Sequence, residues 1–164
     1  MSSIAATFDS VAQSYEKQLQ LGISLSGETA EYFVRGRVRK FVELSQRYTQ
    51  SQPAALLDFG CGVGNAVPEL LDRFSGIRLT GVDCSLASLA LAHRRFSALL
   101  QYRHRVKWEQ HTESLAAESF DLAYSAGVFH HIAPEQRQFA FEKILHALKR
   151  GGLFALFENN PWNP

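Results

Sequence analysis

The chain has 164 residues, a net charge of +1 and 46 % hydrophobic residues, which predicts one soluble domain with a core of its own. The near-neutral charge gives no strong attraction to nucleic acid or to an anionic membrane, and no apolar run approaches the roughly 18 residues that a membrane helix needs. Two cysteines are too few for a disulfide scaffold, and without a signal peptide they indicate reduced thiols in a cytoplasmic protein.

Residues 1–50 are predicted to form a helical cover of the same domain. From Ile4 to Leu19, apolar residues recur at spacings of three and four, which places them on one helix face. The stretch LGISLSGET then breaks the helix, because its glycines and serines favour loops. A second helix precedes Pro53, which ends the helical region.

Residues 51–164 alternate between short apolar strands and helices. The predicted strands are ALLDF, IRLTGVD, VKWEQ, FDLAYS and LFALFE. Pro68 and Pro134 suit the first turn of a helix, Ser85 can cap another, and Gly151 and Gly152 are predicted to end the last helix. This alternation predicts an α/β fold with a doubly wound, mainly parallel sheet, in which ligands bind beyond the carboxyl ends of the strands.

A glycine-rich loop follows the first predicted strand, in the sequence LLDFGCGVGN. Gly60, Gly62 and Gly64 allow positive φ angles and let a ligand approach bare backbone, and the helix start beyond them offers N–H donors. Asp83 closes the second strand about 20 residues later, where a carboxylate can accept both hydroxyls of a ribose. The alternatives are a tight turn without a ligand and, for Asp83, a helix N-cap.

Two residues separate the classes of nucleotide that this loop could hold. A dinucleotide loop reads G-x-G-x-x-G, but Asn65 occupies the position of its third glycine. Asp58 precedes the loop, and a carboxylate there repels a pyrophosphate but attracts an ammonium group. A Walker-type loop is excluded because no Gly-Lys-Ser/Thr follows. The pattern therefore favours a ligand that carries an amine, a carboxylate and a nucleoside.

Four ordered segments carry a resemblance to a known family. LLDFGCGVGN, GVDCS, FDLAYSAGVFHHI and LKRGGLFALFE resemble segments of the class I S-adenosylmethionine-dependent methyltransferases, over roughly residues 54–160. The resemblance implies a Rossmann-like fold with S-adenosylmethionine as cofactor. FDSVAQSYEKQL looks like the helical cover of many small-molecule members, and ENNPWNP resembles the segment after the fifth strand in a subset of the family.

The resemblance also implies roles for individual residues. Asp58 would lie near the ammonium group of the cofactor, the glycines would line its methionine portion, and Asp83 would hold the ribose. Cys84 would lie beside the adenine and Tyr15 would close over the cofactor, whereas Thr112 departs from the acidic or amide residue that commonly reads the adenine. The cofactor-binding residues implied in this way are Tyr15, Asp58, Gly60, Cys61, Gly62, Gly64, Asp83, Cys84, Thr112, Ser125 and Ala126.

His130 is the candidate catalytic base. Methyl transfer from a sulfonium is an in-line displacement, in which the protein mainly positions the nucleophile and excludes water. His130 and His131 follow the fourth strand, and because adjacent residues point in different directions, at most one of them is expected to face the acceptor. A structural or solvent-facing role for both is the alternative. Glu158 and Asn159 are candidates for lining the acceptor pocket, and no metal site is expected because no third ligand has a suitable spacing.

The remaining expectations concern partners. The basic stretches HRRFSALLQYRHRVKW and RGRVRK make an RNA methyltransferase the alternative to an enzyme of small molecules, although such stretches are more often solvated helix faces. Five strands are two fewer than the family usually has, so we expect a truncated chain without the final antiparallel pair. The exposed fifth strand would then offer an edge for homodimer formation, or the chain would be a non-catalytic cofactor-binding module.

Overall fold

The computed structural model describes residues 30–49, 51–102 and 104–158. Tyr15, Asn159 and the predicted first helix lie outside these residues. The described elements, in chain order, are helix α1 Ala30–Tyr48, strand β1 Ala55–Phe59, helix α2 Val67–Arg73, strand β2 Arg78–Val82, helix α3 Leu86–Ser97, strand β3 Val106–Glu109, strand β4 Phe120–Ala126, helix α4 Pro134–Ala147 and strand β5 Leu148–Phe157. Short 3-10 turns lie at Thr112–Ser114 and Phe129–His131.

The five strands form one sheet in the order β3-β2-β1-β4-β5, and all four neighbouring pairs are parallel. The chain runs outward from β1 to β3 and then returns to place β4 on the other side of β1. The strand order therefore reverses between β1 and β4, and this switch point is where open α/β sheets bind ligands. The predicted Rossmann-like, doubly wound fold is confirmed.

Alternate residues of the central strands pack into two separate hydrophobic layers. Leu56 of β1 belongs to the layer that includes Val38 and Phe41 of α1, whereas its neighbour Leu57 belongs to the layer that includes Ile144 of α4. All five side chains are fully buried. This two-residue period is the reason that helices cover both faces of the sheet. The parallel direction of all five strands places their carboxyl ends at one edge.

The helix starts follow the predicted signals. The Ser88 N–H donates to Ser85 Oγ at 3.1 Å, so Ser85 caps α3. Pro68 lies in the first turn of α2, and Pro134 is the first residue of α4.

The predicted end of the last helix was wrong. Helix α4 ends at Ala147, and Leu148 already pairs with Phe120 of β4. The next regular pair of β5 is Leu153 with Leu122, so the residues between them form an irregularity in the strand. Gly151 has a φ of +77° inside this irregularity. The glycines therefore shape a distortion of β5 instead of capping α4.

Part of the basic stretch before β3 has a structural role. The guanidinium of Arg105 donates to the carbonyl oxygens of Leu71, Phe74 and Ile77 at 2.9 to 3.2 Å, which closes the end of α2 and the turn into β2. Lys107 pairs with Glu109 at 2.6 Å.

Strand β5 is an edge of the sheet within the described part of the chain, and Leu156 on it is 38 % exposed. None of the helices in the described ranges is both long and apolar enough to cross a membrane.

Candidate functional site

The carboxyl ends of β1, β2 and β4 bring together most of the predicted site residues. Asp58, near the end of β1, pairs in register with Gly81 of β2 and with Tyr124 of β4. Ser125 and Ala126 end β4, and Asp83 follows β2. These residues come from distant parts of the sequence and meet because the three strands are adjacent and parallel.

The glycine loop folds over the end of β2. The N–H groups of Gly60 and Cys61 both donate to the carbonyl oxygen of Val82, at 2.8 and 3.0 Å. The φ angles of Gly60, Gly62 and Gly64 are +74°, +53° and +78°, which residues other than glycine rarely adopt. The loop geometry therefore requires glycine at all three positions.

The three glycines differ in what surrounds them. A Cβ on Gly60 would lie 2.3 Å from a methyl group of Val128, and one on Gly64 would lie 2.7 Å from the ring of Phe96. A Cβ on Gly62 would have no heavy atom within 4 Å in the described residues. Packing accounts for Gly60 and Gly64, whereas the space beside Gly62 is where a ligand can reach the backbone.

Asp83 connects the glycine loop to the start of α3. The Gly62 N–H donates to one carboxylate oxygen at 2.8 Å, and the Ser85 N–H donates to the other at 2.9 Å. The N-cap of α3 is Ser85, so the N-cap interpretation of Asp83 was wrong in detail, although Asp83 does bind a backbone N–H at the helix start. An ionised carboxylate only accepts hydrogen bonds, which is the chemistry that hydroxyl groups of a ligand require of a partner.

Two buried side-chain atoms at this edge lack a hydrogen-bond partner within the described residues. They are Oδ2 of Asp58 and Oγ of Ser125. Asp58 is only 3 % exposed, and its burial, together with the nearby charge of Asp83, raises its pKa from 3.8 to about 7. A buried carboxylate without a partner is costly, and a cationic ligand group would satisfy it.

The remaining predicted cofactor residues differ in exposure. Cys61 is buried, and its burial, with Asp58 and Asp83 nearby, raises the pKa of its thiol well above the usual value, so it stays protonated and is no nucleophile. Cys84 is exposed, and its carbonyl oxygen accepts from Gln110 Nε2 at 3.5 Å. Thr112 begins the short turn that follows β3, and β3 is the strand that pairs with β2.

His130 makes a contact that sequence reasoning missed. Its Nδ1 lies 2.6 Å from Oε2 of Glu158, the residue that follows β5. The other oxygen of Glu158 accepts from the N–H groups of Val128 and Phe129, at 2.9 and 2.8 Å. The two residues lie 28 positions apart, and only the pairing of β4 with β5 brings them together.

The expectation that His130 and His131 point in different directions was wrong. Their ring centroids are 3.8 Å apart, with the ring planes tilted by 46°. Within the residues that the structure describes, no group of three or more His, Cys, Asp or Glu side chains could hold a metal ion.

A family model described as "Methyltransferase domain" matches residues 57–154, which is more than half of the chain. Among curated proteins, the trans-aconitate 2-methyltransferase of Delftia acidovorans is 27 % identical over 146 residues, which cover 76 % of this chain and 54 % of that protein. The chain therefore spans about half the length of this relative.

Solved structures show the same fold. The phosphoethanolamine N-methyltransferase 2 of Haemonchus contortus, in complex with phosphomonomethylethanolamine and S-adenosylhomocysteine, is 26 % identical with a TM-score of 0.57, over 72 % of this chain and 27 % of that chain. The cyclase SpnF is also 26 % identical, with a TM-score of 0.59, over 73 % of this chain and 44 % of that chain.

Proposed function

The chain belongs to the class I S-adenosylmethionine-dependent methyltransferase family, and we propose that it binds S-adenosylmethionine at the carboxyl edge of β1, β2 and β4 and transfers the methyl group to a small molecule. The observation that carries this proposal is the buried carboxyl group of Asp58, whose Oδ2 has no partner in the described residues. A ligand with an ammonium group would neutralise it.

The described residues fit the other parts of this cofactor. Gly62 leaves open space beside the backbone for the methionine portion. The carboxylate of Asp83 is held by two N–H groups just after β2, and a carboxylate is an acceptor of the kind that ribose hydroxyls need. Ser125 offers a buried hydroxyl at the carboxyl end of β4. Roles for Tyr15, Cys84, Thr112 and Ala126 are part of the same proposal and follow from the resemblance alone.

The bound cofactor would supply a methyl group already activated on a sulfonium. The protein then has to hold the methyl acceptor in line, exclude water, and accept a proton where the acceptor loses one. We propose His130 for the last task, since it follows β4 at the edge that carries the cofactor residues.

A small-molecule acceptor is favoured by the relatives, because the two named methyltransferases carry trans-aconitate and phosphoethanolamine in their names. The alternative of an RNA acceptor is weakened by Arg105. Its guanidinium donates to three backbone carbonyl oxygens, so this residue of the basic stretch has a structural role. Pairing of two copies through β5 also stays a proposal, and a single monomeric species in sedimentation equilibrium would refute it. A cytoplasmic location is proposed on the two free cysteines.

The acceptor class is tested with methyl-labelled S-adenosylmethionine and a panel that contains trans-aconitate, phosphoethanolamine and total cellular RNA. We expect label to enter a small molecule of the panel and none to enter RNA. Label in RNA that disappears at high salt would instead support the RNA alternative.

A further inference from the structure

Glu158 connects the end of β5 to the turn that carries His130. One carboxylate oxygen accepts from the N–H groups of Val128 and Phe129, at 2.9 and 2.8 Å, and the other lies 2.6 Å from Nδ1 of His130. The same side chain therefore fixes the backbone of the turn and one nitrogen of the imidazole.

The protonation state of Glu158 decides which nitrogen of His130 carries hydrogen. Partial burial acts to raise the pKa of Glu158, but the hydrogen bonds from His130, Phe129 and Val128 outweigh it and hold the pKa below its usual value. Glu158 is therefore an ionised carboxylate at neutral pH, and a carboxylate only accepts hydrogen bonds. The hydrogen in the 2.6 Å contact must then belong to Nδ1, which leaves Nε2 of a neutral ring unprotonated.

The surroundings of His130 leave this second nitrogen available. Nε2 has no hydrogen-bond partner in the ranges 30–49, 51–102 and 104–158, and the His130 side chain is 42 % exposed. The ring of His131 lies against it, and partial burial together with His130 lowers the pKa of His131. His131 is therefore less ready than an ordinary histidine to take up a proton, and Glu158 is the group that balances a positive charge on His130.

We propose that Glu158 is a positioning residue, which holds His130 in the Nδ1–H tautomer so that Nε2 accepts the proton of the methyl acceptor. This inference rests on the proposed function. Nε2 takes the proton that the acceptor atom loses as that atom forms its bond to the methyl carbon, and the electron pair of the broken carbon–sulfur bond stays on sulfur. The imidazole becomes a cation, and the Glu158 carboxylate neutralises it across the 2.6 Å contact.

The tautomer of His130 is measured by long-range proton–nitrogen NMR on the chain without added ligand, at a pH where the ring is neutral, with assignment from His130→Gln. The parent chain is expected to show hydrogen on Nδ1. In Glu158→Gln the amide oxygen can still accept from Val128 and Phe129, but the NH₂ group can only donate to the imidazole. The hydrogen is therefore expected to move to Nε2 in this variant, with the nitrogen shifts of the ring exchanged.

Glu43→Gln is the matched control, because Glu43 lies on the exposed face of α1, where among the described residues its ion-pair partner is Lys40. It should keep the tautomer of the parent. A parent chain with hydrogen on Nε2, or a Glu158→Gln variant that is folded and keeps the Nδ1–H tautomer, would overturn the proposal. Binding of S-adenosylhomocysteine, measured separately, should differ less than about twofold between the parent and Glu158→Gln. A parent chain that does not bind S-adenosylhomocysteine would refute the proposed function, whereas the tautomer result would still hold.

Discussion

At the scale of single residues, Asp58 stands out because its buried Oδ2 has no hydrogen-bond partner among the described residues. Its pKa of about 7 lies above the ordinary value of 3.8 because the side chain is buried and lies near Asp83. Between about pH 4 and pH 7, the folded protein keeps a proton on Asp58 that the unfolded chain has released. The free energy of unfolding contributed by this group therefore falls as the pH rises, by at most about 4 kcal/mol in total.

Asp58→Asn is expected to remove this pH dependence, because an amide does not titrate. Urea unfolding without ligand at pH 5 and pH 8 measures it. The parent should lose stability between these pH values, and Asp58→Asn should lose clearly less. Asp72→Asn, at an exposed position on α2, is the control and should behave as the parent does. An Asp58→Asn variant with the pH dependence of the parent would show that Asp58 does not titrate in this range.

The glycine loop gives a second residue-scale prediction. Gly62→Ala is expected to lower the free energy of unfolding by about 1 to 2 kcal/mol, because alanine is strained at this positive φ. It is also expected to weaken the binding of S-adenosylhomocysteine about tenfold, because the new methyl group enters the open space beside the loop. Gly76→Ala is the control, since its φ of +78° and its open surroundings match. In urea unfolding, Gly76→Ala should lose about as much stability as Gly62→Ala. Its affinity for S-adenosylhomocysteine should equal that of the parent.

If Gly62→Ala binds as tightly as Gly76→Ala, the space beside Gly62 does not hold the cofactor. Gly60→Ala should lose more stability than either, because its Cβ would lie 2.3 Å from Val128.

Some features of this site could be predicted from the sequence and others could not. That Asp58, the three glycines and Asp83 lie at one edge of the sheet could be predicted, because they stand at or just after the ends of neighbouring strands; their roles toward a cofactor stay a prediction. The hydrogen bonds between Asp83 and Gly62 and between Glu158 and His130 could not be predicted, because each depends on the exact register of two paired strands that a helix separates in the chain.

At the scale of elements, the strands could be predicted to within a few residues at most ends, whereas the junction of α4 and β5 could not. Consecutive glycines are typical of helix ends, but a positive φ is also what a strand irregularity requires. Gly151 serves the second purpose, so β5 begins at Leu148, five residues before its predicted start at Leu153.

Arg105 carries the prediction at this scale. Arg105→Lys is expected to cost about 1 to 3 kcal/mol, because a lysine ammonium cannot reproduce the planar fork that binds three carbonyl oxygens at the end of α2. Thermal or urea unfolding measures the loss. Arg94→Lys, on the exposed surface of α3, should change stability by less than about 0.5 kcal/mol. Equal stabilities of the two variants would mean that the carbonyl contacts of Arg105 contribute nothing.

At the scale of the whole molecule, the sheet order places the candidate cofactor residues at the switch point between β1 and β4. The alternation of strands and helices was sufficient to predict this architecture. It was not sufficient to predict the acceptor, because individual side chains of a site select the acceptor and the order of strands and helices does not. The similar cyclase structure also shows that this fold is not restricted to proteins named as methyltransferases.

The central claim is that Asp58, whose Oδ2 has no hydrogen-bond partner among the described residues, is half of a cofactor site, and titration calorimetry with S-adenosylhomocysteine tests it most directly. We predict one saturable site per chain, with an affinity that rises as Asp58 loses its proton toward pH 8. Asp58→Asn should weaken binding by about tenfold or more, whereas Asp72→Asn should leave it unchanged. A folded parent chain that shows no binding heat at millimolar ligand, or an Asp58→Asn variant that binds as the parent does, would contradict the account.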